Sequence, residues 1–243
     1  MERPTLSVVI PFHDEASSLA SVHAELAAVL DSLDLEAEML FVDDDSRDGG
    51  ARLVLDCAAR DPRVRLLGLS PRTGQSGALE AGFRAARGSL IATLDADLQN
   101  DPADLPQLLA ALEAASADCV NGVRLRRCDS WMKRAASRIA NGVRRRVLCD
   151  GVHDIGCSLR VMRAEPLRRV KLFRGAHRFL PVLLQMEGAR VIERPVRHRA
   201  RRFGASKYGI GRRLGEAGID LIGVLWLRRR SLRYETKELS RSA

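Results

Sequence analysis

Short apolar runs alternate along the chain with longer stretches whose apolar residues recur every three or four positions. Leu6-Ser7-Val8-Val9-Ile10 is a β-rich run stopped by Pro11. Residues 15–33 then carry Leu19, Val22, Leu26, Val29, Leu30 and Leu33 at helical spacing. Met39-Leu40-Phe41-Val42 predicts a second strand, ending in Asp43-Asp44-Asp45-Ser46. A helix over 50–59, a strand over 64–67, a helix over 74–87 and a strand over 90–94 follow, and that last strand runs into Asp95-Ala96-Asp97. A helix over 101–115 and a strand over 118–120 complete the first half. The order βαβαβαβαβ predicts an α/β fold: a Rossmann-like, mostly parallel sheet with helices on both faces.

The second half is less regular. Its pattern predicts a helix rich in Arg and Lys over 130–147, a strand over 158–162, a helix over 177–187 and a strand over 191–196. A basic loop over 197–207 precedes an apolar helix over 214–227 that ends in Arg228-Arg229-Arg230. No repeat, low-complexity tract or linker divides the chain. The expectation is one domain over 1–210, with 1–120 the ligand-binding half and 121–210 completing the site. Residues 211–243 form an amphipathic helix and a basic tail.

Length and composition agree with one core: 243 residues, 46% of them hydrophobic. Cys57, Cys119, Cys128, Cys149 and Cys157 form no CxxC pair and read as reduced thiols of a cytosolic protein. Gly151 and Gly156 break any helix that would align Cys149, His153 and Cys157 into a metal site. Met1-Glu2-Arg3-Pro4 runs straight into a strand without a signal-peptide pattern. The longest apolar stretch, residues 217–227, contains Asp220 and is too short to span a bilayer.

Charge changes the picture more. Residues 1–120 hold 9 Lys and Arg against 21 Asp and Glu, whereas residues 121–243 hold 31 against 10. Such asymmetry predicts different partners for the two halves. A basic half fits nucleic acid, an anionic membrane or a phosphorylated substrate.

Acidic residues collect just beyond the predicted strand ends: Glu15, Asp43-Asp44-Asp45, and Asp95 with Asp97. In open parallel sheets that rim is where ligands bind. Like charges gathered there repel one another, and a divalent cation bridging to a diphosphate would relieve them, since carboxylate and phosphate oxygens suit Mg²⁺ or Mn²⁺. Asp48 and Asp101 read instead as turn formers and helix caps. The G-x-x-x-x-G-K-S/T, G-x-G-x-x-G and G-x-S-x-G patterns are all absent, which argues against a P-loop NTPase, a dehydrogenase and an α/β-hydrolase.

Four ordered segments resemble the successive motifs of family 2 glycosyltransferases with the GT-A fold. They are Val9-Ile10-Pro11-Phe12-His13-Asp14-Glu15, Val42-Asp43-Asp44-Asp45-Ser46, Arg72-Thr73-Gly74-Gln75 and Asp95-Ala96-Asp97-Leu98-Gln99. Three later ones are similar to the dolichol-phosphate mannosyltransferase branch, which includes bacterial enzymes acting on undecaprenyl phosphate. These are Gly122-Val123-Arg124, residues 154–160 and residues 201–208. Asp14 stands where the family usually has Asn, and Asp45 where it has Gly.

The resemblance implies a metal-dependent glycosyltransferase. Pro11, Phe12, Glu15, Val42 and Asp44 would line the nucleotide pocket, with Asp44 on the base and Arg72 and Gly74 flanking it. Asp95, Ala96 and Asp97 would lie against the nucleotide sugar. Asp95, Asp97 and Gln99 would hold the metal at the diphosphate. Asp97, Arg124, Arg201 and Lys207 form the implied catalytic set, the three cations gripping phosphates. Arg144-Arg145-Arg146 and Arg228-Arg229-Arg230 read as surface or membrane-facing charge.

The expected reaction is an inverting transfer from a UDP- or GDP-sugar to a polyprenyl phosphate. The protein would sit peripherally on the cytoplasmic face of a membrane, bound to its anionic surface, and a membrane-protein partner fits the same picture. The rival within the family is a hydroxyl acceptor, which needs a carboxylate base, and Asp154 is the candidate. A nucleic-acid-binding protein is the rival from another class. With 4% aromatic residues and no recognised motif, nucleic acid is not expected as a partner.

Overall fold

A computed structural model describes residues 5–124, 141–200 and 210–230, with side chains of the last stretch from residue 218 onward. Three strand–helix units and a fourth strand open the fold: β1 (Leu6–Phe12), α1 (Ala16–Asp31), β2 (Ala37–Asp44), α2 (Gly50–Ala58), β3 (Val64–Leu69), α3 (Gln75–Ala85) and β4 (Leu90–Thr93). There follow α4 (Leu105–Ala114), β5 (Cys119–Arg124), a helix α5 described over 141–148, β6 (Arg160–Arg163), α6 (Ala164–Arg169), α7 (Leu180–Met186), β7 (Val191–Val196) and α8 (Ile210–Arg230). Every residue of β1 is buried. A strand covered on both faces has no solvent side to alternate with, so its sequence reads as a continuous apolar run.

The strands form one seven-stranded sheet in the order β3-β2-β1-β4-β6-β5-β7. β1 runs parallel to β2 and β4, β2 to β3, and β5 to β7. β6 alone is reversed, antiparallel to both β4 and β5. The sheet is therefore mostly parallel, as the sequence predicts. The acidic and basic halves of the chain are not separate bodies, because β6 is threaded between β4 and β5.

Helices cover both faces. Leu19, Val22 and Leu26 of α1, Val54 of α2, and Leu105, Leu108 and Leu112 of α4 join one core layer. Ala78, Leu79 and Phe83 of α3, Leu167 of α6, and Leu180 and Leu184 of α7 join the other. A smaller third cluster joins Leu148 of α5, Phe179, Val182 and Leu183 to Val224 of α8.

Three local expectations need correction. The helix expected over 101–115 opens as a 3₁₀ turn, Pro102–Asp104, before α4, and the helix expected over 177–187 opens as a 3₁₀ turn, Ala176–Phe179, before α7. Pro106 and Pro181 stand in the first turns of α4 and α7. Proline lacks an N–H and clashes one turn back, so it starts an α-helix rather than continuing one. Arg144 is not surface charge. It is 2% exposed, and its guanidinium is bound by Asp150 and by the Val152 carbonyl. It shares a helix face with Leu148, four residues on, and that face points into the fold.

Candidate active site

The parallel strands β1, β2 and β4 end at one rim of the sheet, and the reversed β6 begins there, so both halves of the chain contribute loops to the same crevice. The loops after β1 and β2 are laced together. The Asp14 N–H donates to Ser46 Oγ at 3.0 Å and the Arg47 N–H to Asp14 Oδ1 at 2.8 Å. Asp48 accepts from Ala16 N at 2.7 Å and from Gly50 N at 2.9 Å, so one carboxylate serves the first turns of α1 and α2. Asp101 accepts from Ala103 N in the same capping manner. Asp14 and Asp45 have φ of 51° and 63°, left-handed values that Asp tolerates and glycine adopts freely. That explains how Asp45 can occupy a position where the resembled motif carries Gly.

Asp44, 3% exposed at the end of β2, organises the loop before α3. Its Oδ1 accepts from Thr73 N at 2.6 Å and Thr73 Oγ1 at 3.0 Å, its Oδ2 accepts from Gly74 N at 2.8 Å, and Arg72 Nε lies 3.7 Å from Oδ2. Two glycines permit this turn. Gly74 has φ of 82° with ψ of 170°, a region open to glycine alone. A side chain at Gly77 would place its Cβ 2.3 Å from Thr73 Oγ1. Gln75 and Ser76 then reach in two directions. Gln75 Nε2 donates to Asp95 Oδ1 at 2.8 Å. Ser76 Oγ accepts from Gly175 N at 3.1 Å and His177 N at 3.3 Å, and lies 2.8 Å from His177 Nδ1. With two N–H groups already donating to that oxygen, the hydroxyl hydrogen goes to His177 Nδ1. Burial, with the Arg178 and Arg160 charges behind it, pushes His177 down to about 3, so the ring is neutral.

Asp95 and Asp97 follow β4. Burial, and then the Asp97 charge, push Asp95 up to about 6, against a Ser158 hydrogen bond and the Arg160 and Arg124 charges. Asp97 Oδ1 accepts from Gln99 N at 3.1 Å. Two carboxylates held against their own repulsion, one of them desolvated, make a hard oxygen donor set that fits Mg²⁺ or Mn²⁺. Among the described residues no group of three or more His, Cys, Asp and Glu could hold a metal alone. A cation at Asp95 and Asp97 would need further oxygens, such as those of Gln99 and a diphosphate.

The second half supplies the positive side. Arg124, at the end of β5, grips Asp154 at two points, Nε to Oδ2 at 2.7 Å and Nη2 to Oδ1 at 2.9 Å. Arg160, 2% exposed in β6, donates to three neutral acceptors: Asn121 Oδ1 at 2.8 Å, the His177 carbonyl at 3.0 Å and the Ile155 carbonyl at 2.7 Å. Glu193 of β7 fixes the loop from the other side, accepting from His153 N at 2.8 Å and Asp154 N at 3.3 Å. The segment leading into the basic loop is strapped down as well. Arg197 pairs with Asp101 and Asp104, Arg199 with Glu25 and Asp101, and Arg199 N donates to the Gln99 carbonyl.

Asp44, Arg72, Gly74, Asp95, Asp97, Gln99 and Arg124 thus fall on one rim, with Glu15 at the head of α1. Pro11, Phe12, Val42 and Ala96 are core residues beneath it. Val42 is fully buried, packed with Val9 and Ala78 under α3, so its side chain belongs to the core and only its backbone is left to face the rim. Arg201 and Lys207 lie outside the described residues. Thr73, Gln75, Ser76, Asn121, Arg160 and His177 received no role from the sequence. A signal existed for Arg160: a lone cation heading the apolar pair Val161-Met162 is out of place in a strand interior unless it is bound.

Residues 7–171 match the model of glycosyl transferase family 2. The chain is 38% identical over 206 residues to the undecaprenyl-phosphate 4-deoxy-4-formamido-L-arabinose transferase of Edwardsiella ictaluri, a match covering 84% of this chain and 63% of that protein. It is 36% identical over 228 residues to the dodecaprenyl-phosphate galacturonate synthase of Rhizobium johnstonii, covering 92% and 67%. The chain thus spans about two thirds of the length of these curated relatives. In fold it is similar to glucosyl-3-phosphoglycerate synthase from Mycobacterium tuberculosis, solved with Mn²⁺, UDP and glucosyl-3-phosphoglycerate, with TM-score 0.68, 18% identity, and 93% and 80% of the two chains covered. A mannosyltransferase from Pyrobaculum calidifontis, solved with GDP-mannose and Mn²⁺, aligns with TM-score 0.58 at 21% identity over 80% and 56%. The architecture is that of the GT-A glycosyltransferases.

Proposed function

The chain belongs to glycosyl transferase family 2, and on that premise we propose that it moves a glycosyl group, with inversion, from a UDP- or GDP-sugar to a polyprenyl phosphate. The observation that carries the acceptor is the Arg124–Asp154 pair. The carboxylate a hydroxyl acceptor would need as base is clamped by a guanidinium, 8% and 11% exposed respectively. A phosphate acceptor is already ionised at neutral pH and needs no base, only to be held in line and to have its charge met. The names of the relatives point to the same acceptor class.

In this reading Asp44 holds residues 72–74 against the base, and Arg124, with Arg201 and Lys207, grips phosphate. Asp95, Asp97 and Gln99 would hold Mg²⁺ or Mn²⁺, which would neutralise charge developing on the departing nucleoside diphosphate. The site would work at an anionic membrane surface on the cytoplasmic face. Ile219, Ile222 and Trp226 of α8 are 73%, 70% and 62% exposed, and Arg228, Arg229 and Arg230 are exposed after them. No helix among the described residues is long and apolar enough to cross a membrane. The test is transfer of labelled sugar from a panel of UDP- and GDP-sugars to a short polyprenyl phosphate and to the matching polyprenol. Label on the phosphate supports the reading, and label on hydroxyl acceptors alone overturns it.

A further inference from the structure

We infer that Gln75 is a positioning residue that sets the divalent-metal affinity of the site by fixing the Asp95 carboxylate, an inference resting on the metal assignment above. Gln75 is the first residue of α3, and its Nε2 donates to Asp95 Oδ1 at 2.8 Å. Ser158 also contributes a hydrogen bond to Asp95 and itself accepts from Asn100 Nδ2 at 2.7 Å. A carboxylate offers about four lone-pair sites, so two such bonds leave room for a cation while removing the freedom to rotate. Groups that orient a ligating side chain in this way change metal affinity by about 10–100-fold.

Gln75 is itself held. Asp44 binds the two preceding residues through Thr73 N, Thr73 Oγ1 and Gly74 N, and Ser76 anchors the next one to Gly175 and His177. The amide therefore sits on a helix start pinned on both sides. It joins the segment expected at the base to the carboxylate expected at the metal. Asp97 is fixed differently, by the Gln99 N–H of its own turn. Asp95 thus takes part of its orientation from α3, a helix 20 residues away in sequence.

The experiment measures Mn²⁺ binding by electron paramagnetic resonance at saturating UDP or GDP, whichever the protein binds, with metal-free nucleotide affinity and Tm measured beside it. Gln75→Met removes the donor at nearly constant size, and about a tenfold weaker Mn²⁺ affinity is expected, with metal-free nucleotide affinity and Tm close to wild type. Gln75→Asn, one methylene short, should show a smaller loss of the same kind, and it decides the matter should Gln75→Met not fold. A merely structural role would lower Tm and nucleotide affinity and leave the Mn²⁺ affinity of the folded fraction unmoved. That pattern, or unchanged Mn²⁺ affinity in a folded variant, overturns the inference and leaves the metal assignment standing. Failure of the wild-type protein to bind Mn²⁺ with nucleotide removes the assignment and the inference together.

Discussion

Arg124 and Asp154 are bound to each other at two points, and the backbone N–H of Arg124 also lies 3.3 Å from Asp154 Oδ2. The two residues belong to different segments of the second half, the end of β5 and the loop that leads to β6. What the pair fixes is the direction of the guanidinium at the rim.

If Asp154 positions Arg124, the two act as one unit. Asp154→Asn and Arg124→Met should each lower transfer by about ten- to a hundredfold, the scale of one charged hydrogen bond of ~1.5–3 kcal/mol. The double variant should be little worse than the poorer single one. A general base would instead lose ~10²–10⁴-fold on its own, with a separate effect of Arg124 adding to it. Steady-state rates of the three variants distinguish the cases, and additive losses would sink the pairing argument.

Asp97→Ala should abolish Mn²⁺-stimulated sugar transfer while the fold survives, because Asp97 closes the donor set beyond β4 rather than the core. Sugar release and circular dichroism, measured together, check this. Wild-type turnover in the folded variant would remove Asp97 from the metal site.

Asp44 ties down three polar groups of residues 73–74, so Asp44→Ala frees the loop expected to flank the base. Affinity for the free nucleotide should weaken by about ten- to a hundredfold, corresponding to ~1.5–3 kcal/mol. Calorimetric titration with UDP and GDP reads this directly, and an unchanged dissociation constant would count against the role given to Asp44.

His177 makes stability depend on pH. Its folded-state pKa of about 3 lies below the ordinary imidazole value of 6.5, so the unfolded chain binds the proton first. Stability is unaffected by this group above pH ~6.5 and falls as pH drops from there toward 3, by about 2 kcal/mol between pH 7 and 5. Asp95, raised to about 6, slopes the other way below that pH. The clean measurement is therefore the difference between wild type and His177→Gln in denaturant unfolding at several pH values. That difference should change by about 2 kcal/mol, and a flat one would show that the ring is not held neutral.

Membrane attachment through α8 predicts that the protein co-sediments with anionic vesicles at low salt and less at high salt. Ile222→Glu should abolish binding. Replacing Arg228, Arg229 and Arg230 by Gln should weaken it by about 1 kcal/mol per charge. No sedimentation of the wild-type protein at low salt refutes the attachment.

The part of the rim built by the first half was largely legible in the sequence, and the part built by the second half less so. β1, β2 and β4 are buried on both faces and announce themselves as apolar runs, with Asp44 and Asp95 at their ends. β6 is four residues long, with Arg at both ends, and nothing in its periodicity encodes that it runs backward. Arg144 was misread, and Arg160 passed over, for a related reason. Composition counts a buried guanidinium as surface charge, and its acceptors, Asp150 and the carbonyls of Ile155 and His177, come from separate loops. Gln75 was quoted as part of a motif, but its contact with Asp95 spans 20 residues and only the folded chain brings them together.

The reversed β6 also decides how the chain can be cut. Residues 1–120 carry the four helices α1–α4 and the four strands β1–β4, and look like an expressible fragment. Without β6, however, β4 would present a bare row of unpaired N–H and C=O groups beside the most apolar strands of the protein. Such an edge is a template for joining another chain. β4 pairs with β6 across some 70 residues of sequence, so during synthesis that edge stays open until residue 163 has emerged. Fragments ending near the charge boundary should be recovered as aggregates, and the boundary that composition draws is one the sheet does not respect.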